Sequence, residues 1–378
     1  MNAATALPAR TDVAVVGAGP TGLALAVTLA SAGIDFVLLD RQPRPAQTSR
    51  AGVVHARTLE VLDELGVAPE LLARGHRVGQ AVVRDGARQL LRVPFDGLPT
   101  RFPFALVIPQ YETEDVLTDR LRQLGGEVHR PYEVARVVQE EDGVTLTMAS
   151  GETLRAGYAV GADGMHSVVR EAAGIGFDGG SYDESFVLAD VTLEQDRDDD
   201  ELTLLLGAAG IFVIAPFPNG RYRVIATVDD APATPELGYV QGLLDARDPG
   251  WAKIRELVWA SRFRIHHRVA ERFRSGRLLL AGDAAHVHSP VGGQGMNTGI
   301  QDGYALGRAL AEGRLDSYES RRRPVAHRVV AFTDRMTRIA TVRGTAGRTA
   351  RNTLLPLLGR VPAFRVRLAT ELAELNYR

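Results

Sequence analysis

Residues Val13 to Gly22 read VAVVGAGPTG and hold Gly17, Gly19 and Gly22 at GxGxxG spacing. An apolar run leads into them and a helix-like segment, Leu23 to Ala30, leads out. A second apolar run, Ile34 to Leu39, ends in Asp40. This is the layout of a strand–helix–strand unit that cradles a dinucleotide. Gly17 permits a tight turn, Gly19 lets the backbone approach a pyrophosphate, and Gly22 lets helix and strand pack closely. The helix start offers free N–H groups and a positive dipole end to phosphate. Asp40 stands where a carboxylate accepts hydrogen bonds from a ribose diol. The plainer alternative is a glycine-bearing strand–turn–helix without a ligand; the strand, helix and acid in register speak against it.

Two later stretches offer compatible chemistry. GADGMHSVVR, Gly161 to Arg170, places Asp163-Gly164 at the end of a strand and before a helix; alone, Asp-Gly is only a turn. LLLAGDAAHVHSPVGGQGMNTGIQD, Leu278 to Asp302, delivers Gly282-Asp283 from an apolar strand. A loop with Pro290, Gly292, Gly293 and Gly295 follows, and then a helix starting near Met296-Asn297. Asp283 can bond a sugar-alcohol hydroxyl. The helix start points positive potential at whatever lies above the glycine loop, which suits the negatively charged pyrimidine ring of a reduced flavin.

Other residues carry weaker signals. His286 and His288 form an H-x-H pair, but no third ligand is near and the chain has no cysteine, so no metal is expected. Tyr222, on a strand, is a candidate base or substrate contact, and ordinary strand packing is the favoured reading. Phe217, in the run Ala215-Pro216-Phe217-Pro218, and Phe102 and Phe104 are candidates to line an aromatic pocket, with core packing the default. His55 and Arg57 stand before a helix and suit either a flavin neighbour or local packing. His266-His267 reads as structural or solvent-facing.

The elements that must position these residues follow from hydrophobic period and turn residues. Thr58 to Leu65 reads as an amphipathic helix with Gly66 past its end. Val78 to Phe104 reads as short strands, and Gln110 to Leu124 as a helix. Glu127 to Thr147 reads as two strands around Glu141-Asp142-Gly143, and Leu154 to Val160 as a strand. Phe186 to Val228 alternates polar and apolar residues around Pro218-Asn219-Gly220, which predicts antiparallel strands. Asp196 to Glu201 predicts a solvated loop, Pro235 to Ala260 a helix, Arg277 to Ala281 a core strand, and the remainder mostly helix. The chain thus reads as α/β, with a Rossmann-like nucleotide-binding part, an inserted antiparallel sheet and C-terminal helices. The expected division is 1–77, 102–177 and 275–345 for the first, 78–101 and 178–274 for the second, and 346–378 for the third.

Composition narrows the classes. The 378 residues can bury a large core, and a net charge of −2 favours neither a nucleic-acid nor an acidic partner. The lack of cysteine excludes disulfides, thiolate metal sites and a cysteine nucleophile. Val13 to Ile34 is uncharged, but its glycines break it into strand and helix and no basic segment precedes it, so a membrane span or signal peptide is not expected. A cytoplasmic protein with no membrane partner is expected. From Arg314 to Arg378 there are 14 arginines and five acidic residues. A phosphate-binding face would suit that charge, but no aromatic platform is interleaved. The favoured reading is solvated faces of helices that pack through Leu354, Leu355, Leu357, Leu358 and Leu368.

Taken together, the motifs resemble group A flavin monooxygenases, the family of para-hydroxybenzoate hydroxylase and the aromatic-polyketide hydroxylases. The matching pieces are GAGPTG with Asp40-Arg41, Arg50-Ala51-Gly52-Val53, GADG at 161–164 and GDAAHVHSPVGGQGMN at 282–297. The resemblance implies non-covalent FAD, NADPH as transient reductant, and hydroxylation of a phenolic or polyketide-like aromatic through a flavin C4a-hydroperoxide formed with O2. It implies FAD contacts from Gly17, Gly19, Gly22, Asp40, Arg41, Gln110, Asp163, Asp283, Pro290, Gly295, Met296 and Asn297. It places Arg50 beside the flavin and the nicotinamide donor, and Pro290 on the isoalloxazine face, as the catalytic positions. Many polyketide hydroxylases continue into a thioredoxin-like domain that is not expected here, which leaves a monomer or homodimer open. A flavin-dependent reductase or dehydrogenase of the same fold, and a non-catalytic flavin- or ligand-binding protein, are the alternative functions.

Overall fold

The computed structural model describes residues 7–45, 51–194, 200–342 and 344–377. Its first sheet grows from the apolar runs. Leu278–Leu280, Thr153–Gly161, Arg10–Val16, Phe36–Leu39 and Val128–His129 lie side by side, all parallel. Val13 to Val16 and Val37 to Leu39 are buried, as expected for a parallel sheet covered on both faces. The hairpin Val134–Gln139 with Val144–Met148 adds antiparallel strands to this sheet around the expected turn.

The second sheet is built mainly from the central part of the chain. Its order is His286–Val287, Ile254–Ala270, Phe177–Leu193, Arg221–Val228, Gly210–Phe217, Glu201–Gly207, Gln80–Asp85 and Arg88–Pro94. All neighbours are antiparallel except Glu201–Gly207 with Gln80–Asp85, which run parallel. The fold is therefore α/β: a Rossmann-like part, an inserted and largely antiparallel sheet, and helices that close the chain. Most of the expected loop at Asp196 to Glu201 lies outside the described residues.

One expected helix is half wrong. Only Leu237–Asp245 is helical in the Pro235 to Ala260 stretch. Pro249 and Gly250, the latter at φ +76°, turn the chain, and Ile254–Ala270 runs on as a 17-residue strand. That strand pairs along the equally long Phe177–Leu193. The partner's ladder overrides a local sequence that suits a helix equally well.

The helix Pro20–Ser31 crosses the helix Gln294–Ala311 at backbone distance. A Cβ on Gly303 would overlap the carbonyl oxygen of Thr21. One on Gly307 would stand 2.6 Å from Thr28 Cγ2, and one on Gly299 would overlap Thr21 Oγ1. Spacing of four residues puts these glycines on one face of the helix.

The C-terminal helices depart from expectation in how they pack. Leu355 and Leu368 lie against the core, but Leu354, Leu357 and Leu358 are 55%, 51% and 41% exposed. Helix Thr345–Gly359 turns its other side inward, where Arg351 is buried and donates to the Ala340 carbonyl at 3.2 Å.

Gly303→Ala tests the helix crossing. Alanine raises helix propensity by about 1 kcal/mol, but its Cβ meets backbone that cannot rotate aside, an overpacking cost of about 1–3 kcal/mol. The thermal midpoint of the variant should fall; an unchanged or raised midpoint contradicts the close crossing.

Candidate functional site

A continuous cleft of about 1520 Å3 runs between the two sheets. The glycine turn borders it. Gly17 sits at φ +103°, and its N–H donates to the Leu39 carbonyl at 2.8 Å. A Cβ on Gly22 would overlap the Gly17 carbonyl, so the first and third glycines serve backbone packing. Gly19 faces the cleft, and a Cβ there would meet nothing within 4 Å. The helix that follows has no side-chain cap and no acid in its first turn, so its leading N–H groups stay available to an anion. Asp40 accepts from Ala18 N–H at 2.9 Å, Gln42 N–H at 2.8 Å and Arg130 at 3.0 Å. It braces the glycine loop from behind, whereas Arg41 lines the cleft.

The third motif lines the same cleft. Gly282 N–H donates to Asp302 Oδ2 at 3.2 Å, and the exposed Asp283 faces the cleft. Pro290, Gly292, Gly293, Gly295 and Met296 line it where the helix Gln294–Ala311 starts, again with no side-chain cap and no acid in the first turn. Asn297 is fully buried and does not line the cleft. Its Oδ1 accepts from His55 N–H at 2.8 Å, and its Nδ2 donates to the Val53 and Gly293 carbonyls, both at 2.8 Å. The side chain ties the 53–55 segment to the glycine loop. His55 donates from Nε2 to the Gly292 carbonyl at 2.7 Å, and burial lowers its pKa to about 4, so the ring is neutral.

The middle motifs complete the wall. Gln110 lines the cleft, accepts from Ala51 N–H at 3.3 Å and donates to Glu114 at 2.7 Å. Asp163 lines it too. Its Oδ2 accepts from Val168 N–H at 2.8 Å, and burial raises its pKa against the opposing hydrogen bonds from Ser167 and Val168. Arg170 locks the second motif to the third, donating to the Ala284 carbonyl at 2.9 Å and the Met165 carbonyl at 2.7 Å. Arg50 lies outside the described residues.

On the second sheet, period-two alternation decides which side chains face the cleft. Ile211, Val213, Ala215 and Phe217 face it, as do Arg223 and Ile225. Tyr222 points the opposite way, into a cluster with Phe212, Val224 and Leu244 beneath helix Leu237–Asp245. Phe102 is buried in the main core with Phe104 packed against that core, and neither lines the cleft. The residue that sequence reasoning missed is Arg223. It is buried, donates through Nε and Nη2 to Asp190 at 2.7 and 2.8 Å, donates to the Ala51 carbonyl at 2.7 Å, and lies 4.6 Å above the Phe217 ring. The inward register of RYRVIATV was its only signal.

A buried charge network supports the glycine loop. Asp302 accepts from His286 at 2.6 Å and from Arg322 at 2.5 Å. Burial alone would raise the Asp302 pKa, but Arg322 and His286 outweigh it and hold the carboxyl below its ordinary value. His286 is thus committed to Asp302. His288 lines the cleft, with its pKa lowered to about 4 by burial and by the His286 charge. His266 lines it too, with its pKa lowered by burial first. No group of three or more metal-ligating side chains occurs among the described residues. Below the network, buried Glu374 accepts from Gln301 and Thr298.

The chain fits FAD on its own geometry: two uncapped helix starts, a turn only glycine can make, and a long cleft joining them. A profile of the FAD binding domain family matches residues 10–333, and the chain belongs to that family. It is 38% identical over 333 residues to rifampicin monooxygenase of Streptomyces venezuelae, covering 84% of this chain and 69% of that one. It is 35% identical over 380 residues to dialkyldecalin synthase of Streptomyces rugosporus, covering 96% and 77%. Its fold matches p-nitrophenol 4-monooxygenase PnpA of Pseudomonas putida with a TM-score of 0.88 and 25% identity, covering 98% and 99%. The chain spans 69% and 62% of the length of the first two curated monooxygenases it matches. The class is that of FAD-dependent monooxygenases.

Burial raises the Glu374 pKa to about 8 from an ordinary 4.5, against the opposing pull of Arg322, Gln301 and Thr298. The folded chain keeps a proton there that the unfolded chain has released, so this contribution is full below pH 4.5 and is lost as pH rises towards about 8. Glu374→Gln should flatten the fall in stability across that range in urea unfolding. An unchanged slope contradicts the raised pKa.

Proposed function

We propose that the chain hydroxylates a large planar phenol or polyketide-like aromatic, with NADPH and O2 as co-substrates and water and NADP+ as by-products. The observation that carries this reading is the size of the cleft. At about 1520 Å3 it exceeds the ~300–1,000 Å3 of an ordinary ligand site. That leaves room for FAD and a bulky second ligand in one cavity. Rifampicin, named for one relative, is a bulky polyketide; p-nitrophenol, named for a structural neighbour, is small. The apolar wall of Ile211, Val213, Ala215 and Phe217 suits the larger kind.

Bound FAD would supply the redox chemistry between the nicotinamide, O2 and the aromatic ring. The protein's own work is placement and exclusion of water. In this reading Gly19 and the helix start at Pro20 hold the pyrophosphate, Gly17 and Gly22 shape its turn, and Asp40 with Arg41 serves the adenosine end. Asp283, Pro290, Gly295 and Met296 border the isoalloxazine ring. Asn297 acts through the loop it braces, and Gln110 and Asp163 flank the cofactor. Phe217 stacks on the substrate ring, and Arg223 positions Phe217 against the 51–53 segment. Tyr222 has no part in substrate contact. We divide the chain into 1–77, 102–177 and 275–345 for FAD, 78–101 and 178–274 for substrate, and 346–378 for the closing helices; the second-sheet strands within 78–101 and 178–274 support this, while His286–Val287 of that sheet falls in the first part. A cytoplasmic setting suits a nicotinamide donor.

The similarity to dialkyldecalin synthase supports a second reading, a flavin-holding protein that turns over substrate without oxygen. Oxygen-electrode and NADPH assays with a panel of planar phenols separate the two. Coupled uptake stimulated by a phenol supports the hydroxylase; turnover in nitrogen supports the second reading. Phe217→Ala should raise KM about tenfold, a loss of about 1.4 kcal/mol, while Tyr222→Phe leaves KM unchanged. The reverse pattern contradicts the assignment of faces.

A further inference from the structure

Between Asp334 and Glu371 the chain carries eight arginines and no acidic residue. Eight large apolar side chains are exposed among the described residues, and six of them fall in this same stretch: Ile339, Leu354, Leu357, Leu358, Val361 and Val366. Leu354, Leu357, Leu358 and Val361 recur at the spacing of one helical face, along Thr345–Gly359 and just past its end. The opposite side of that helix is anchored. Arg351 is bonded to Ala340, Asn352 donates to Asp85, and Leu355 packs on the core. The outward leucines therefore stay outward, held by a fixed helix. Arg360 and Arg367 stand exposed beside them, with no carboxylate partner among the described residues.

A basic helix face with leucines at its centre suits an anionic lipid surface, where apolar side chains enter the acyl boundary and arginines meet headgroups. A second copy of this chain fits poorly, because a symmetric contact would set arginine clusters against each other with no acid between them. We propose that this face, Leu354 to Val366, seats on an anionic membrane surface. Helices Thr345–Gly359 and Pro362–Leu372, which carry this face, also supply Leu355, Phe364 and Leu368 to the cleft. Docking brings the cleft mouth to the lipid, a route by which an apolar substrate can enter. No described helix is long and apolar enough to cross a membrane, and a surface contact needs none.

The test is flotation of the full chain with phosphatidylglycerol-rich vesicles and with phosphatidylcholine vesicles. Binding to the first should weaken about tenfold on the second, in high salt, and in Leu357→Asp/Leu358→Asp and Arg360→Glu variants. Flavin content of the variants should be unchanged, which separates this outcome from any failure of the proposed reaction. Absence of binding to phosphatidylglycerol-rich vesicles overturns the proposal. So does a dimer in light scattering that Leu357→Asp/Leu358→Asp dissolves. Wild-type salt dependence decides the matter even if a variant fails to fold.

Discussion

The backbone-to-backbone crossing of two helices sets everything else in this structure. Pro20–Ser31 begins at the glycine turn and Gln294–Ala311 begins at the glycine loop, so both helix starts open on the one cleft. Their separation is fixed because Gly299, Gly303 and Gly307 let one helix lie directly on Thr21 and Thr28 of the other. A side chain at the crossing would push the helices apart and move both sets of free N–H groups relative to a single bound dinucleotide. The crossing fixes the two helix starts relative to each other.

The second constraint is electrostatic. A carboxylate as deeply buried as Asp302 is tolerated only when paired and hydrogen-bonded. Arg322, His286 and the Gly282 N–H meet that demand and draw together the third motif and the helix Asp316–Ala340. Breaking such a pair from one side leaves an uncompensated buried charge, a cost of about 3–5 kcal/mol. The network faces away from the cleft, so its role is to hold Asp283 and the glycine loop in place.

The parts legible in the sequence were those where backbone geometry admits few residues. Gly17 and Gly22 were readable because a side chain at either position collides with backbone. The inserted sheet was readable from alternation around Pro218-Asn219-Gly220. The parts that failed depend on a partner the local sequence does not name. Tyr222 and Arg223 differ by one position in a strand, and only the packed sheet decides which faces the cleft. Ile254–Ala270 became a strand because an equally long strand was there to pair with it. Leu354, Leu357 and Leu358 looked like core residues by type, yet the inward side of their helix belongs to Arg351 and Leu355.

The central claim is that the glycine turn and the helix start behind it hold the cofactor's pyrophosphate. Gly19→Val tests it directly. Position 19 lies at φ −75°, and an added Cβ meets no protein atom within 4 Å, so the chain should fold normally. The branched side chain would occupy only the space claimed for phosphate. Titration with FAD, followed by quenching of flavin fluorescence, should show affinity weakened by at least about tenfold, roughly 1.4 kcal/mol. Unchanged FAD affinity in a folded Gly19→Val protein would contradict the account.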